Sequence, residues 1–377
     1  MRIPLRFVAL LIVAAALVGV VLAMTVWDTE EGPADPGQGR ATGAVTGETG
    51  STGSTDFAQV YPRPVKGPLL GVNLTAYTAD GYAQQKVRDD MVTLAGLGTT
   101  AVTLVPTWYM RTADANRIAP DPDKSPSDES LIKAIEWARE NDLKVIIKPH
   151  VDVLDETYRG EIQPANRSAW FDSYGKFIDH YASLASSRHA EMFVVGTELK
   201  TMSSDTESWR RVIQLVRARF TMPLTYAANW DEADQIRFWD DLDAIGIDAY
   251  YPLSENVGEA PTVGELVGSW KGIADRLSEL SRRWDRPVIL TEVGYPSQIG
   301  ATVTPYSVTD QPADQKIQAL AYQATFEALK DAGWLKGISW WSWRADPSAE
   351  ERLDVDYSPE GKQAQGELAR GQFLYQG

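Results

Sequence analysis

The sequence predicts an α/β protein, a closed (β/α)8 TIM barrel preceded by an N-terminal hydrophobic leader and a disordered linker. Three observations carry that prediction. From Leu69 onward, eight short β-rich runs alternate with longer segments of helical periodicity. The stretch they occupy, about 300 residues, holds eight β/α units comfortably, since a barrel of this kind needs about 250. The rival architecture, a doubly wound open sheet, usually opens its first helix with a Gly-rich turn, and the sequence has none.

Arg2 and Arg6 precede an apolar run from Phe7 to Val26, relieved only by small residues and Thr25, and the acidic stretch Asp28-Thr29-Glu30-Glu31 follows. About 20 apolar residues can span a bilayer, and basic residues before the run place its start in the cytoplasm. Residues 1–27 read either as a signal-anchor helix or as a cleaved signal peptide, since Val21-Leu22-Ala23 resembles a small-residue cleavage site. Both readings export the domain, which is then secreted or tethered to the membrane. Residues 28–66 read as a disordered linker, because the Gly/Thr/Ser/Glu-rich stretch 43–54 has no apolar periodicity with which to bury a face. Pro62, Pro64 and Pro68 stiffen its end, and residues 67–377 form the barrel domain.

Strands are expected at Leu69–Leu74, Thr100–Thr107, Lys144–His150, Met192–Glu198, Leu224–Asn229, Ala244–Tyr250, Pro287–Glu292 and Gly337–Trp343. Between them run helical stripes: Val87, Met91, Leu94 and Leu97, stopped by Gly98; Leu131, Ile135 and Ala138; Trp209, Val212, Ile213 and Val216; Leu266, Trp270, Ile273, Leu277 and Leu280; Ile317, Leu320, Ala324 and Ala328. Trp170, Trp209, Trp270 and Trp284 sit on such stripes and read as core. The helix after the fifth strand is weak, Glu232–Phe238 at most, and Pro359–Arg370 reads as the last one.

Composition removes several classes of function. With 52 acidic against 36 basic residues, the net charge of −16 repels a phosphate backbone, so nucleic acid is not an expected partner. The absence of cysteine excludes disulfides, thiolate metal sites and a Cys nucleophile. Three histidines without an HExxH pattern make no zinc centre. No GxSxG elbow, P-loop or dinucleotide fingerprint occurs, and no cofactor or metal is expected. The 13 Trp and 15 Tyr can fill a core or form flat platforms for sugar rings.

In a barrel of this class the chemistry sits at the C-terminal strand ends. Those ends carry Asn73, Trp108-Tyr109, Lys148-Pro149-His150, Thr197-Glu198, Asn229-Trp230, Asp248-Ala249-Tyr250-Tyr251, Thr291-Glu292 and Trp340-Trp341-Ser342-Trp343. Two carboxylates, Glu198 and Glu292, directly follow apolar runs. Glycosidic hydrolysis needs such a pair, one acid to protonate the leaving oxygen and one carboxylate against an oxocarbenium-like centre. Their proximity helps to part their pKa values.

The motifs Gly71-Val72-Asn73-Leu74-Thr75-Ala76-Tyr77, Val105-Pro106-Thr107-Trp108-Tyr109, Ile147-Lys148-Pro149-His150, Gly196-Thr197-Glu198-Leu199, Ile245 to Pro252, Thr291 to Tyr295, Trp340 to Trp343 and Asp356-Tyr357-Ser358-Pro359, in this order, resemble glycoside hydrolase family 113. The family's known members are mainly β-mannanases, within the clan of retaining (β/α)8 hydrolases that carry glutamates on strands four and seven. The resemblance spans about residues 69–365. It implies Glu198 as acid/base and Glu292 as nucleophile of a retaining, endo-β-mannanase-like enzyme. The commonest pattern of the clan has Asn before the acid/base, where this chain has Thr197. The expected substrate is a β-1,4-linked mannan. The alternatives are another β-glycan of a cell envelope, or a non-catalytic carbohydrate-binding wall protein.

Substrate-binding candidates are Asn73, Trp108, His150, Thr197, Asn229, Asp248, Tyr250, Tyr295 and Trp341. Tyr250 and Tyr251 alternate in direction, and Tyr250 shares its parity with Asp248, so that pair is expected in the mouth, with both tyrosines as caps the alternative. Trp341 and Trp343 share parity, and of these Trp341 is placed at the site. The expected partners are a poly- or oligosaccharide and, through an uncleaved leader, a membrane; the protein is expected to be a monomer.

Overall fold

Eight parallel strands close a barrel in which each pairs with its sequence neighbour and the last returns to the first. They are β1 (Leu69–Thr75), β2 (Ala101–Val105), β3 (Lys144–Ile147), β4 (Met192–Thr197), β5 (Leu224–Asn229), β6 (Ile245–Asp248), β7 (Val288–Val293) and β8 (Leu335–Arg344). The structure, a computed structural model, describes residues 63–257, 260–346 and 352–375. The leader and all but the end of the linker lie outside the described residues. Among the described residues no helix is long and apolar enough to cross a membrane.

Around the barrel stand α1 (Gln85–Gly96), α2 (Asp128–Glu140), α3 (Arg167–Ser187), α4 (Lys200–Ser203), α5 (Thr206–Arg217), α6 (Val263–Trp284), α7 (Gln315–Leu329) and α8 (Gln363–Leu374). Side chains at the N-caps satisfy the orphan amides that begin several of them. Ser127, Asn166 and Asp205 accept from Ser130, Ala169 and Ser208, and Thr262 with Glu265 forms a capping box. The stripes read from the sequence face the barrel, although Leu97, Ile273, Trp284, Leu320 and Ala328 are only half-buried.

Two apolar layers result. Inside the barrel, Leu69, Ala101, Ile146, Met192, Val194, Ala227, Ala244 and Ile289 converge from the strands. Between strands and helices lies a second, larger layer that includes Trp170, Trp209, Trp270, Trp340 and Trp343, all fully buried.

Three expectations need correction. The second and third strands end at Val105 and Ile147 because Pro106 and Pro149, which lack an amide proton, cannot continue a ladder. The chain resumes beyond them as Thr107–Met110 and His150–Val153, which pair in a separate parallel ladder. No α-helix follows β5; the two 3₁₀ turns Ala233–Gln235 and Trp239–Asp241 replace it. Ala233, Ile236, Phe238 and Trp239 are all buried there, a pattern that no single helical face could supply. The last helix begins at Gln363 rather than Pro359, because the chain still turns at Gly361, whose φ is +70°.

Trp209 shows how the outer layer is built. Its ring lies 5.1 Å from that of Tyr226 and 5.7 Å from that of Phe238, and its indole N–H donates to the Met202 carbonyl at 3.0 Å. Trp209→Ala is expected to cost about 3–5 kcal/mol. Urea unfolding checks this, with a lower midpoint and an unchanged slope expected.

Candidate active site

Both expected glutamates are brought to one place. Glu198 directly follows β4 and Glu292 lies in β7. Each is accompanied by a β-bulge. The β4–β5 register shifts between Val194 and Thr197, and the β6–β7 register passes from Leu290 to Glu292 over one step of β6. Bulges re-aim side chains, and here they accompany carboxyls that turn into a cleft of about 620 Å³. Tyr158, Arg159, Asn229, Trp230, Tyr250 and Trp341 share its lining. A larger groove of about 870 Å³ runs outside the barrel between α3 and α5 and contains no strand-end residue.

Below the mouth, the barrel interior becomes polar. Lys148 and Asp248 are fully buried, and the Lys148 ammonium donates to both Asp248 oxygens, at 3.0 and 3.2 Å, and to Oε1 of Glu292. Thr291 donates to Asp248 at 2.8 Å. Tyr250 donates its phenolic proton to Oε2 of Glu292 at 2.5 Å. A buried ammonium between two carboxylates avoids the cost of an unpaired internal charge. Burial and the adjacent Glu292 push the Asp248 carboxyl well above the usual range. His150 Nε2 stands 3.7 Å from Glu292 Oε1 without a hydrogen-bond partner among the described residues. Burial, then Arg159 and Lys148, hold its imidazole well below its ordinary pKa, so it stays neutral.

Glu198 has a different environment. Its φ is +51°, a left-handed conformation rare for a residue with a side chain. Arg159 Nη1 donates to its Oε2 at 3.1 Å and binds Asp152 Oδ1 through Nε at 3.0 Å and Nη2 at 2.5 Å. Burial, opposed by Arg159 and reinforced by Glu292, pushes the Glu198 carboxyl up to about 7. Two carboxyls thus meet over one cleft, one able to carry a proton near neutrality and the other set against an ammonium and a phenol. Such a pair can run acid-assisted displacement at an acetal carbon.

Of the substrate-binding candidates, Asn229, Tyr250 and Trp341 line the cleft. Asn229 donates to the Tyr158 phenol at 3.0 Å and accepts from the Trp230 amide at 2.8 Å. His150 lies just behind, stacked on Trp341 with ring centres 5.9 Å apart. Tyr251 packs on Trp230 and Trp270, away from Glu292. The remaining candidates do not line the cleft. Asn73 is fully buried inside the barrel and donates to the carbonyls of Thr291 and Ser339. Asp248 serves Lys148. Trp108 packs against Phe177, His180 and Tyr181 of α3, because the ladder beyond Pro106 turns its ring to the helix side. Tyr295 is fully buried in the outer layer near Trp270 and Thr325. Thr197 pairs with Ala227, and its buried hydroxyl has no hydrogen-bond partner among the described residues. The shared parity of Trp341 and Trp343 also fails. The β1–β8 register passes from Asn73–Trp341 to Leu74–Trp343, skipping Ser342, and Trp343 turns into the outer layer.

The sequence reading named Lys148 at a strand end without giving it a role. It missed Arg159, Tyr158 and Asp152, which lie on a loop and short ladder with no periodicity to mark them. It also missed Tyr357, which lines the cleft from the Asp356-Tyr357-Ser358-Pro359 motif. Asp356 anchors that segment: it pairs with Arg344 at 3.3 Å and with Lys362, and its amide carbonyl accepts from the Ser297 amide at 3.0 Å.

A family model described as Glycoside Hydrolase Family 113 matches residues 75–362. A GH113 β-mannanase from Alicyclobacillus acidocaldarius, solved in complex with ManMIm, superposes with a TM-score of 0.74 at 29% identity, over 82% of this chain and 98% of that one. A GH113 β-1,4-mannanase complex gives 0.72 at 25% identity, over 80% and 98%. A GH5_18 protein from Streptomyces cattleya shares the fold, with a TM-score of 0.54 at 15% identity over 82% and 81%. Comparison with curated proteins gave no significant match.

Proposed function

The chain belongs to glycoside hydrolase family 113, and from that premise we propose that it cleaves β-1,4-linked mannan with retention of anomeric configuration. The observation that carries the proposal is the pairing of Glu198, proton-bearing near neutrality, with Glu292, held by Lys148 and Tyr250, over one cleft.

In the first step Glu292 attacks the anomeric carbon while Glu198 protonates the glycosidic oxygen. The C–O bond breaks, the leaving sugar departs as an alcohol, and a glycosyl ester forms on Glu292. Glu198, now ionised beside Arg159, then takes a proton from water. The water oxygen bonds to the anomeric carbon, the ester breaks, and both carboxyls return to their starting states. Trp341 and Trp230 offer flat apolar faces that match the C–H faces of pyranose rings. Incubation with defined β-1,4-mannooligosaccharides, with proton NMR of the first product, tests the reading. A β-anomer formed first is expected; an α-anomer, or cleavage of β-glucans only, would overturn it.

The pH profile supplies a second test. The general acid must be protonated, and burial raises Glu198 to about 7. For mannooligosaccharides, kcat/KM is therefore expected to fall as pH rises through about 7. A profile flat through neutral pH would contradict this role for Glu198.

The apolar run within residues 1–27 supports an exported enzyme, secreted or held at the membrane, with the barrel outside the cytoplasm.

A further inference from the structure

We propose that the buried Glu232–Tyr226 pair is a positioning device for Glu198, fixing the main chain at Glu198–Leu199 in the conformation from which the carboxyl reaches the cleft. This rests on the reading of Glu198 as acid/base. A non-glycine residue at φ +51° persists only where its surroundings hold it. Two main-chain bonds do so. The Glu198 amide donates to the Ala227 carbonyl at 2.8 Å. The Leu199 amide, which lies past the end of β4 and has left the ladder, donates to the phenolic oxygen of Tyr226 at 2.9 Å.

That oxygen is itself oriented. Since it accepts from Leu199, its proton points to Glu232 Oε1, 2.9 Å away. The other Glu232 oxygen accepts from the Asn229 amide at 3.1 Å. Tyr226 and Glu232 are fully buried. Gly196 makes the approach possible, since a Cβ there would stand 2.8 Å from the Tyr226 ring and 2.6 Å from Trp209. One carboxylate therefore braces two places at the cleft: the backbone that aims Glu198, and Asn229, which lines the wall. The Glu232 charge also adds to the upward pressure on the Glu198 carboxyl, alongside Glu292 and against Arg159 and Lys148.

The test is kcat/KM of the full chain and its variants Glu232→Gln and Tyr226→Phe on two substrates. A mannooligosaccharide needs its leaving oxygen protonated; 2,4-dinitrophenyl β-mannoside does not. Both variants are expected to lose on the order of 10-fold or more on the oligosaccharide, as a displaced catalytic group does, and to lose far less on the dinitrophenyl substrate. Equal loss on both substrates, or no loss, overturns the proposal. Tyr226→Phe decides alone if Glu232→Gln does not fold. Glu198→Ala is the control. If it too shows no dependence on the leaving group, the acid/base reading itself fails; if it shows one that the other two variants lack, only the positioning role fails.

Discussion

Glu292→Gln is expected to lower kcat by roughly 10⁴-fold or more, the scale seen when a nucleophile is removed. The amide preserves the shape of the side chain but cannot form the glycosyl ester. The fold should survive, because Lys148 keeps its two bonds to Asp248 at 3.0 and 3.2 Å and is not left as an unpaired buried charge. Binding should survive as well, since every other residue lining the cleft is untouched. Calorimetry with a mannooligosaccharide should therefore report affinity where turnover is absent. Covalent trapping gives the complementary result. A 2-deoxy-2-fluoromannosyl fluoride, whose 2-fluorine slows breakdown of the ester, should lose its anomeric fluoride and leave the 2-deoxy-2-fluoromannosyl group on the peptide containing Glu292. Label on any other residue, or substantial turnover by the variant, would remove Glu292 from the role of nucleophile.

Glu198→Ala is expected to reduce kcat/KM on mannooligosaccharides by about 10²–10⁴-fold, the range of general acid catalysis. The same variant should keep most of its kcat/KM on 2,4-dinitrophenyl β-mannoside, whose leaving group departs unprotonated. Its kcat should nevertheless fall, because water attacks the ester poorly without a base. Azide needs no deprotonation and fits where the carboxyl was, so it should restore turnover and give β-mannosyl azide. Arg159 retains Asp152 at 2.5 and 3.0 Å, so the truncation does not strand a cation in the cleft. Formation of the α-azide, or no response to azide, would place the acid/base elsewhere.

Alternation of apolar runs located the strands, and a carboxylate at the end of such a run located Glu198 and Glu292. Strand parity proved a weaker guide because it reports direction and not depth. Asn73 and Asp248 do point into the barrel, but below the mouth, where they bond to main chain and to Lys148. Parity also fails wherever a ladder is interrupted. Pro106 resets it before Trp108, and the register skip at Ser342 separates Trp341 from Trp343. Arg159 and Tyr158 were illegible for another reason: a loop carries no periodicity, so nothing in its spacing says that it crosses toward Glu198. Glu232 looked like the start of a helix, and only the folded chain reveals a buried carboxylate beneath Asn229.

Asp356, gripped by Arg344 and Lys362, holds the segment that delivers Tyr357 to the cleft. That grip has a consequence for synthesis on the ribosome, where the chain emerges in order from its first residue. Both glutamates leave the tunnel ahead of β8, Tyr357 and Lys362. A nascent chain therefore carries both carboxyls before it owns a finished cavity. The enzyme comes into being only when its closing stretch docks, so truncation short of Lys362 would strike at catalysis and not merely at the periphery.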